Sequence, residues 1–497
     1  MRRSRRGACP GGLTAVLALL GLTGAAPTTE SWDAVYLAGS KVGHTQTWVE
    51  PVKDRGRDLL RVRIKTELIS KRLQDQATTK VEYGSIETPD GKVLRLDTRI
   101  IAGAQEMRVY GDVVAGKMKL IIEGGGQRQE ETIAWPDDVR GPYAPEQSFA
   151  RQPIKPGEVR ELKMFMPALN KICDVTLTPK DREDVQLGGG VNRTLLRVEQ
   201  TTRFEGKARP EADQTFWIDA GGQVLKARSD IMGGMVVFRT TREGALAKDA
   251  ANIPYDRITS SVIKIKHKIV RPGATRDVRY RVTLKDDDPK QVIPTDRRQS
   301  FAKGSKTNEA ILVVKTAGPE AGAPGAENAD PAYLRPNALI NSQDSRVIEL
   351  TAKAVGNAAD PWEKAKRIES WVAQNLRDKN FSITFASASE VARNLSGDCT
   401  EHGVLVAAMC RAAGIPSRVV VGLVYVESLG GFGFHLWNEV YVNRRWVAID
   451  ATFEQDTVDA VHIKLSDASL DGVSPFESFL PIVRVFGKMT LDPIEVR

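Results

Sequence analysis

The hydrophobic pattern of this chain changes period once, and that change divides what the chain can fold into. From Ser31 to about Ala247 apolar residues recur at every second position. In LLRVRIKTEL, Leu60, Val62, Ile64 and Leu68 share one face while Arg61, Arg63, Lys65 and Glu67 share the other, as in a strand with one wet face. The alternation returns in KVEYGSIETPDGKVLRLDTRI and TLLRVEQTTRF, between the turn signals Pro89-Asp90-Gly91 and Ala220-Gly221-Gly222. Residues 31–248 therefore read as an antiparallel β domain. A second, smaller β domain is expected over 251–316. There VIKIKHKIV places Ile263, Ile265, His267 and Ile269 on one face, which makes His267 a packed core histidine, and VRYRVTL repeats the scheme. Asp286, Asp287 and Asp288, directly before Pro289, read as a turn rather than a calcium site. Residues 317–340, rich in Ala, Gly and Pro with no apolar period, read as a linker.

From 341 to 497 the period is first helical. DSRVIELTAKAVG sets Val347, Leu350, Thr351 and Ala354 on one stripe, with Gly356 to end the helix. DPWEKAKRIESWVAQNL offers Asp360 as N-cap, Pro361 at the first helical position and Glu363 to complete a capping box. A short helix, a turn and a long helix beginning near Cys399 follow, the last closed by Gly414 and Pro416. RVVVGLVYV, FHLWNEVYV and RWVAID then read as strands. The expected whole is multidomain, an antiparallel all-β N-terminal region followed by an α+β domain.

The net charge of +8 does not imply a nucleic-acid partner, because Arg2, Arg3, Arg5 and Arg6 supply half of it and the remaining basic residues alternate with acidic ones. Those arginines precede LTAVLALLGLTGAA, Leu13 to Ala26, which has the length of a secretory h-region and falls short of the ~20 residues a membrane span needs. Residues 1–26 are thus expected to be a signal peptide, with an uncleaved N-terminal anchor as the alternative, and the protein to be exported to the periplasm or beyond. Of four cysteines, Cys9 would leave with that segment. Cys399 and Cys410 lie on one helix at about 16 Å apart along its axis, too far for a disulfide. No CxxC or Cys/His cluster has zinc spacing, so no metal or cofactor is expected.

The stretch GDCTEHG, Gly397 to Gly403, sets Cys399 between a turn and a helix start. Unpaired N–H groups and the macrodipole favour a thiolate there, especially beside a histidine. A small apolar filler explains the position equally well, and explains Cys410 better. Downstream, His435, Trp437, Glu439 and Tyr441 share one strand face. If Asn443-Arg444 is a two-residue turn, Trp437 faces Asp450, and Asp450 becomes the diagonal neighbour of His435 at about 7–8 Å between Cα atoms. A carboxylate so placed fixes the imidazole tautomer and leaves the other nitrogen for a thiol. Glu439 competes for that role. His402, three residues after Cys399, is the rival base and reads as a packing or supporting residue; His44 and His462 have no chemical neighbours in sequence.

With GDCTEH, RAAGIPSRVVVG, HLWNEVYV and WVAIDATF in order, the region from about Asn341 to Arg497 resembles the bacterial transglutaminase-like domain of the papain-like superfamily. The resemblance implies Cys399 as nucleophile, His435 as general base and acid, and Asp450 as orienting carboxylate, with acyl transfer from peptide or protein amides through a thioester. Water as acceptor gives a protease or amidase, the reading favoured here; an amine acceptor gives a protein-glutamine crosslinker. The competing class is a non-catalytic envelope module that binds peptides.

Overall fold

The computed structural model describes residues 28–497 except 73–74, 103–104, 125, 168, 231–233, 249–261, 286, 304–306, 321–327, 377–385, 472–476 and 478. The expected signal peptide therefore lies outside the described residues. Among the described residues no helix is long and apolar enough to cross a membrane.

Sixteen strands, from β1 (Thr29–Leu37) to β16 (Met235–Thr240), form one sheet. The first eight follow one another as a meander from β1 out to β8 (Gln127–Ala134), and β1 pairs on its other side with β16, which leads back through the later strands to β10 (Arg160–Met166) and β9 (Val139–Arg140). The sheet bends over its own apolar face. Phe165 of β10 packs in one cluster with Leu96, Val109, Leu120 and Trp135 from the first half, and an isolated bridge joins Lys92 to Arg140 of β9. Helix α1 (Ala144–Arg151) inserts Phe149 among Leu177, Leu196 and Phe216. On the wet face basic and acidic side chains interleave, as in Lys65–Glu82, Arg99–Glu106 and Arg108–Asp97, so the surplus of arginine forms no uniform basic patch. Helix α2 (Arg242–Leu246) follows β16.

The next strands are β17 (Ile263–Lys264), β18 (Asp277–Leu284), β19 (Gln299–Phe301) and β20 (Glu309–Lys315), with helix α3 (Pro289–Val292) between β18 and β19. They build no sheet of their own. β19, β20 and β18 share a sheet with β25 (Met489–Val496) at the far end of the chain, and β17 joins the sheet of β21 (Ser417–Val426), β22 (Gly431–Val442), β23 (Arg445–Ile449) and β24 (His462–Ala468). Tyr280 and Leu312 from one sheet pack with Leu423, Phe432 and Ile463 from the other, so 263–315 supplies half of a core that the C-terminal region completes.

The strand expected over VIKIKHKIV is reduced to Ile263–Lys264, and His267 is exposed rather than packed. The cause lies in the partner. Lys264 pairs with Gly431, the first residue of β22, and the next position, Gly430, has φ +60°, a left-handed turn that ends the ladder. Of the Asp286–Asp288 run, Asp286 lies outside the described residues, Asp288 caps α3 and Asp287 pairs with Arg484. The end of the segment read as linker is packed: Asn337 accepts from Leu339 and Ile340 N–H and donates to Ser469 O, and Ile340 is fully buried.

Helices α4 (Ser345–Val355), α5 (Pro361–Asn375), α6 (Ala388–Asn394) and α7 (Cys399–Ala412) cover the opposite face of the β21–β24 sheet, around Val404, Leu405, Met409, Val421 and Leu436. Asp360 caps α5 through Glu363 N–H, but the Glu363 carboxylate pairs with Lys366 and Arg367. A reciprocal capping box occurs instead at α7. Helix α8 (Leu480–Val485) touches the large sheet, where Leu480 packs against the cluster of Met164, Cys173 and Phe204.

Candidate active site

Cys399 is the first residue of α7 and is half-buried. Asp398 caps the helix by accepting from Thr400 N–H at 2.9 Å, and Glu401 returns a bond by accepting from Asp398 N–H at 2.9 Å. Gly397 makes this possible: at φ +151°, a Cβ there would lie 2.2 Å from Glu401 Cβ. Burial, then the neighbouring Asp398 charge, pushes the Glu401 carboxyl up to about 8. The helix is pressed onto β22. A Cβ on Gly403 would stand 2.0 Å from Leu436 Cδ2, and Asn438 Nδ2 donates to Gly403 O at 2.9 Å. Gly403 lies one turn after Cys399 on the same helical face. The cysteine thus sits at the end of the helix edge that β22 holds.

On β22 the Asn443–Arg444 turn has φ of 50° and 60°, the doubly left-handed geometry of a tight hairpin, and Val442 pairs with Arg445. That is the register assumed from sequence. His435 Nε2 meets Asp450 Oδ2 at 2.7 Å, and Asp450 Oδ1 accepts from Thr452 N–H at 2.8 Å. Burial alone would raise the Asp450 carboxyl, but the His435 charge and hydrogen bond, with those of His462, hold it well below the usual carboxylate range. Trp437 stacks on His435 at 6.0 Å and Phe453 meets its edge at 5.1 Å, so two aromatic rings flank the imidazole. Glu439, the rival acid, is taken up by Arg418 and Lys464. His402, the rival base, has Nδ1 2.7 Å from Asp398 O, and burial pushes its ring down, toward the neutral form. Burial pushes the Cys410 and Cys173 thiols up to about 12, which suits inert fillers.

Sequence spacing missed His462. It reaches the site because β24 pairs with β21, on the side of β21 away from β22. Its Nε2 lies 3.1 Å from Asp450 Oδ2 and its Nδ1 2.7 Å from Asp459 Oδ1. The Asp-x-x-His spacing of Asp459 and His462 was the one available signal. Among the described residues, His435, Asp450 and His462 bring metal-ligating atoms within 4.8 Å of one another. The two ring nitrogens that face Asp450 Oδ2 do so at 2.7 and 3.1 Å, within reach to donate to it. The cluster is a hydrogen-bond network.

A cysteine opening a helix, an imidazole on the strand that supports that helix and a carboxylate just past the end of the next strand make the frame of a papain-like thiol site. Residues 348–451 match the family described as the transglutaminase-like superfamily, and this part of the chain is a transglutaminase-like domain. An uncharacterized protein of Haemophilus influenzae is 31% identical over 96 residues, covering 18% of this chain and 26% of that protein. The alignment thus spans about a quarter of that relative's length. Similar solved structures include a candidate cysteine protease from Cytophaga hutchinsonii, 16% identical, with 45% of this chain and 90% of that chain covered and a TM-score of 0.31. A β-barrel-like protein of a domain of unknown function from Brucella abortus is 13% identical, with 43% and 96% covered and a TM-score of 0.31.

Proposed function

We propose that the C-terminal domain is a thiol acyl-transfer enzyme of peptide or protein amides, with Cys399 as nucleophile, His435 as base and acid, and Asp450 as orienting carboxylate. The observation that carries the reading is the buried 2.7 Å contact of His435 Nε2 with Asp450 Oδ2, which commits that nitrogen and leaves Nδ1 for the thiol. In the reaction, His435 takes the Cys399 proton and the thiolate adds to the amide carbonyl. The backbone N–H groups at the α7 tip stabilise the resulting oxyanion. His435 then returns the proton to the departing amine as the C–N bond breaks, which leaves a Cys399 thioester. Water, deprotonated by the same imidazole, releases the carboxylic acid and restores the thiol. An amine in place of water gives a crosslink. Hydrolysis is favoured because water needs no acceptor site. The arginine-led apolar N-terminus supports an exported enzyme acting in the periplasm or outside the cell.

Mass spectrometry of glutamine-bearing peptides, incubated with and without a primary amine, separates the outcomes: chain cleavage or deamidation for a hydrolase, an amine adduct for a crosslinker. Both are expected to vanish in Cys399→Ser. Peptides retained on the protein but returned unchanged across a broad library would instead favour a peptide-binding module.

A further inference from the structure

The proposed triad leaves two buried histidines unused, His402 and His462, and of these His462 bonds the triad's own carboxylate. The His462 ring centroid lies 5.7 Å from that of His435, and both rings address the same oxygen, Asp450 Oδ2, at 3.1 and 2.7 Å. On its far side His462 Nδ1 meets Asp459 Oδ1 at 2.7 Å. His462, Asp450 and Asp459 are each at most 2% exposed. An ionised carboxylate only accepts, so a ring bonded to one at each nitrogen has two N–H groups and is an imidazolium. Asp459 is itself held as an anion: it accepts from Val461 N–H at 3.0 Å and from Gln455 Nε2 at 2.8 Å. Arg298 donates to the Asp459 carbonyl at 2.6 Å. Burial acts to strip the His462 proton, yet the hydrogen bonds and charges of Asp450 and Asp459 outweigh it and hold the ring above its ordinary value. The other titratable groups in the field of these carboxylates include His402, Glu369, Tyr280 and Arg298, while Trp437 and Phe453 set aromatic rings against His462.

We propose that His462 is a positioning residue of this site: a buried imidazolium, clamped by Asp459, that fixes the Asp450 carboxylate and draws part of its charge away from His435. The inference rests on the triad reading given above. A cation already seated on Oδ2 opposes the second one that forms on His435 when the thiol ionises. Two like charges about 6 Å apart, at an effective dielectric constant of about 20, interact strongly enough to move a titration by ~1–2 pH units.

The test is the rate of Cys399 carboxamidomethylation by iodoacetamide from pH 5 to 10, which needs no knowledge of the substrate. In His462→Gln, which keeps a donor and removes the charge, the alkaline limb, where the imidazolium facing the thiolate loses its proton, should rise by about one unit or more. Asp459→Asn, which lets His462 go neutral, should move it in the same direction by less, and serves alone if the first variant does not fold. A lowered rate with an unmoved limb would mean a merely structural histidine and overturn the inference. A wild-type cysteine no faster than a free thiol would sink the triad reading instead. Independently, nitrogen-15 spectra of the wild-type imidazoles should give imidazolium shifts at both His462 nitrogens near neutral pH; an unprotonated nitrogen there would overturn the inference whatever the variants do.

Discussion

At the scale of residues, the site combines groups whose charge states are set by burial and pairing in opposite directions. Asp450 is buried but doubly bonded by imidazoles, and stays ionised. Glu369, on the buried face of α5, has an Oε1 with no hydrogen-bond partner, and burial, then the charges of Asp450, Asp456 and Glu454, pushes it up from 4.5 to about 8. Its folded-state value lies above its unfolded one, so its contribution is fully present below about pH 4.5 and is lost as pH rises through about 8. Glu369→Gln should therefore recover stability between pH 6 and pH 9, on the order of a few kcal/mol by urea denaturation, with little change at pH 4. Equal pH dependence in the two proteins would contradict this. Cys399, His435 and Asp450 were legible as candidates because each sits at a position that local periodicity defines, a helix tip or a counted place on a hairpin. His462 was not, since its partner Asp450 becomes its neighbour only through strand pairing that no spacing encodes.

At the scale of elements, the contact that matters most is that of α7 on β22, where Gly403 lets the helix approach and Asn438 ties its carbonyl. Gly403→Ala must displace Leu436 or the helix, and should cost about 1–3 kcal/mol while slowing Cys399 alkylation, because the thiol moves with the helix tip. Alkylation unchanged at the same loss of stability would mean that the helix position does not govern the thiol. The hairpin register was readable because a two-residue turn leaves no freedom in the pairing count. The VIKIKHKIV strand differs for the complementary reason: alternation marks a segment that suits a sheet, but Gly430 turns away, and past Lys264 the pairing ends with Ile265 N–H on Gly430 O at 3.5 Å. The capping box was expected at α5 and formed at α7, where Asp398 and Glu401 have the same Asp-x-x-Glu spacing.

At the scale of the whole molecule, the change of hydrophobic period announced a β region followed by helices and strands, and the structure has that order. It gave no hint that 263–315 is built into the C-terminal sheets, because strand partners two hundred residues apart leave no mark on local pattern. A chain truncated to residues 341–497 loses Val278, Tyr280, Val282 and Leu312 from the core they share with Leu423, Phe432 and Ile463. It should fail to unfold cooperatively, whereas residues 262–497 should show a single sigmoidal urea transition; a cooperative 341–497 fragment would contradict the shared core. Whether the Cys399 thiol is made nucleophilic by an imidazole that a carboxylate orients is decided by one comparison: the second-order rate of iodoacetamide with Cys399 at pH 6.5 in the wild type and in His435→Ala. The wild-type rate should be at least about tenfold above that of a free thiol and fall to the free-thiol rate in the variant. Equal rates in the two proteins would contradict it.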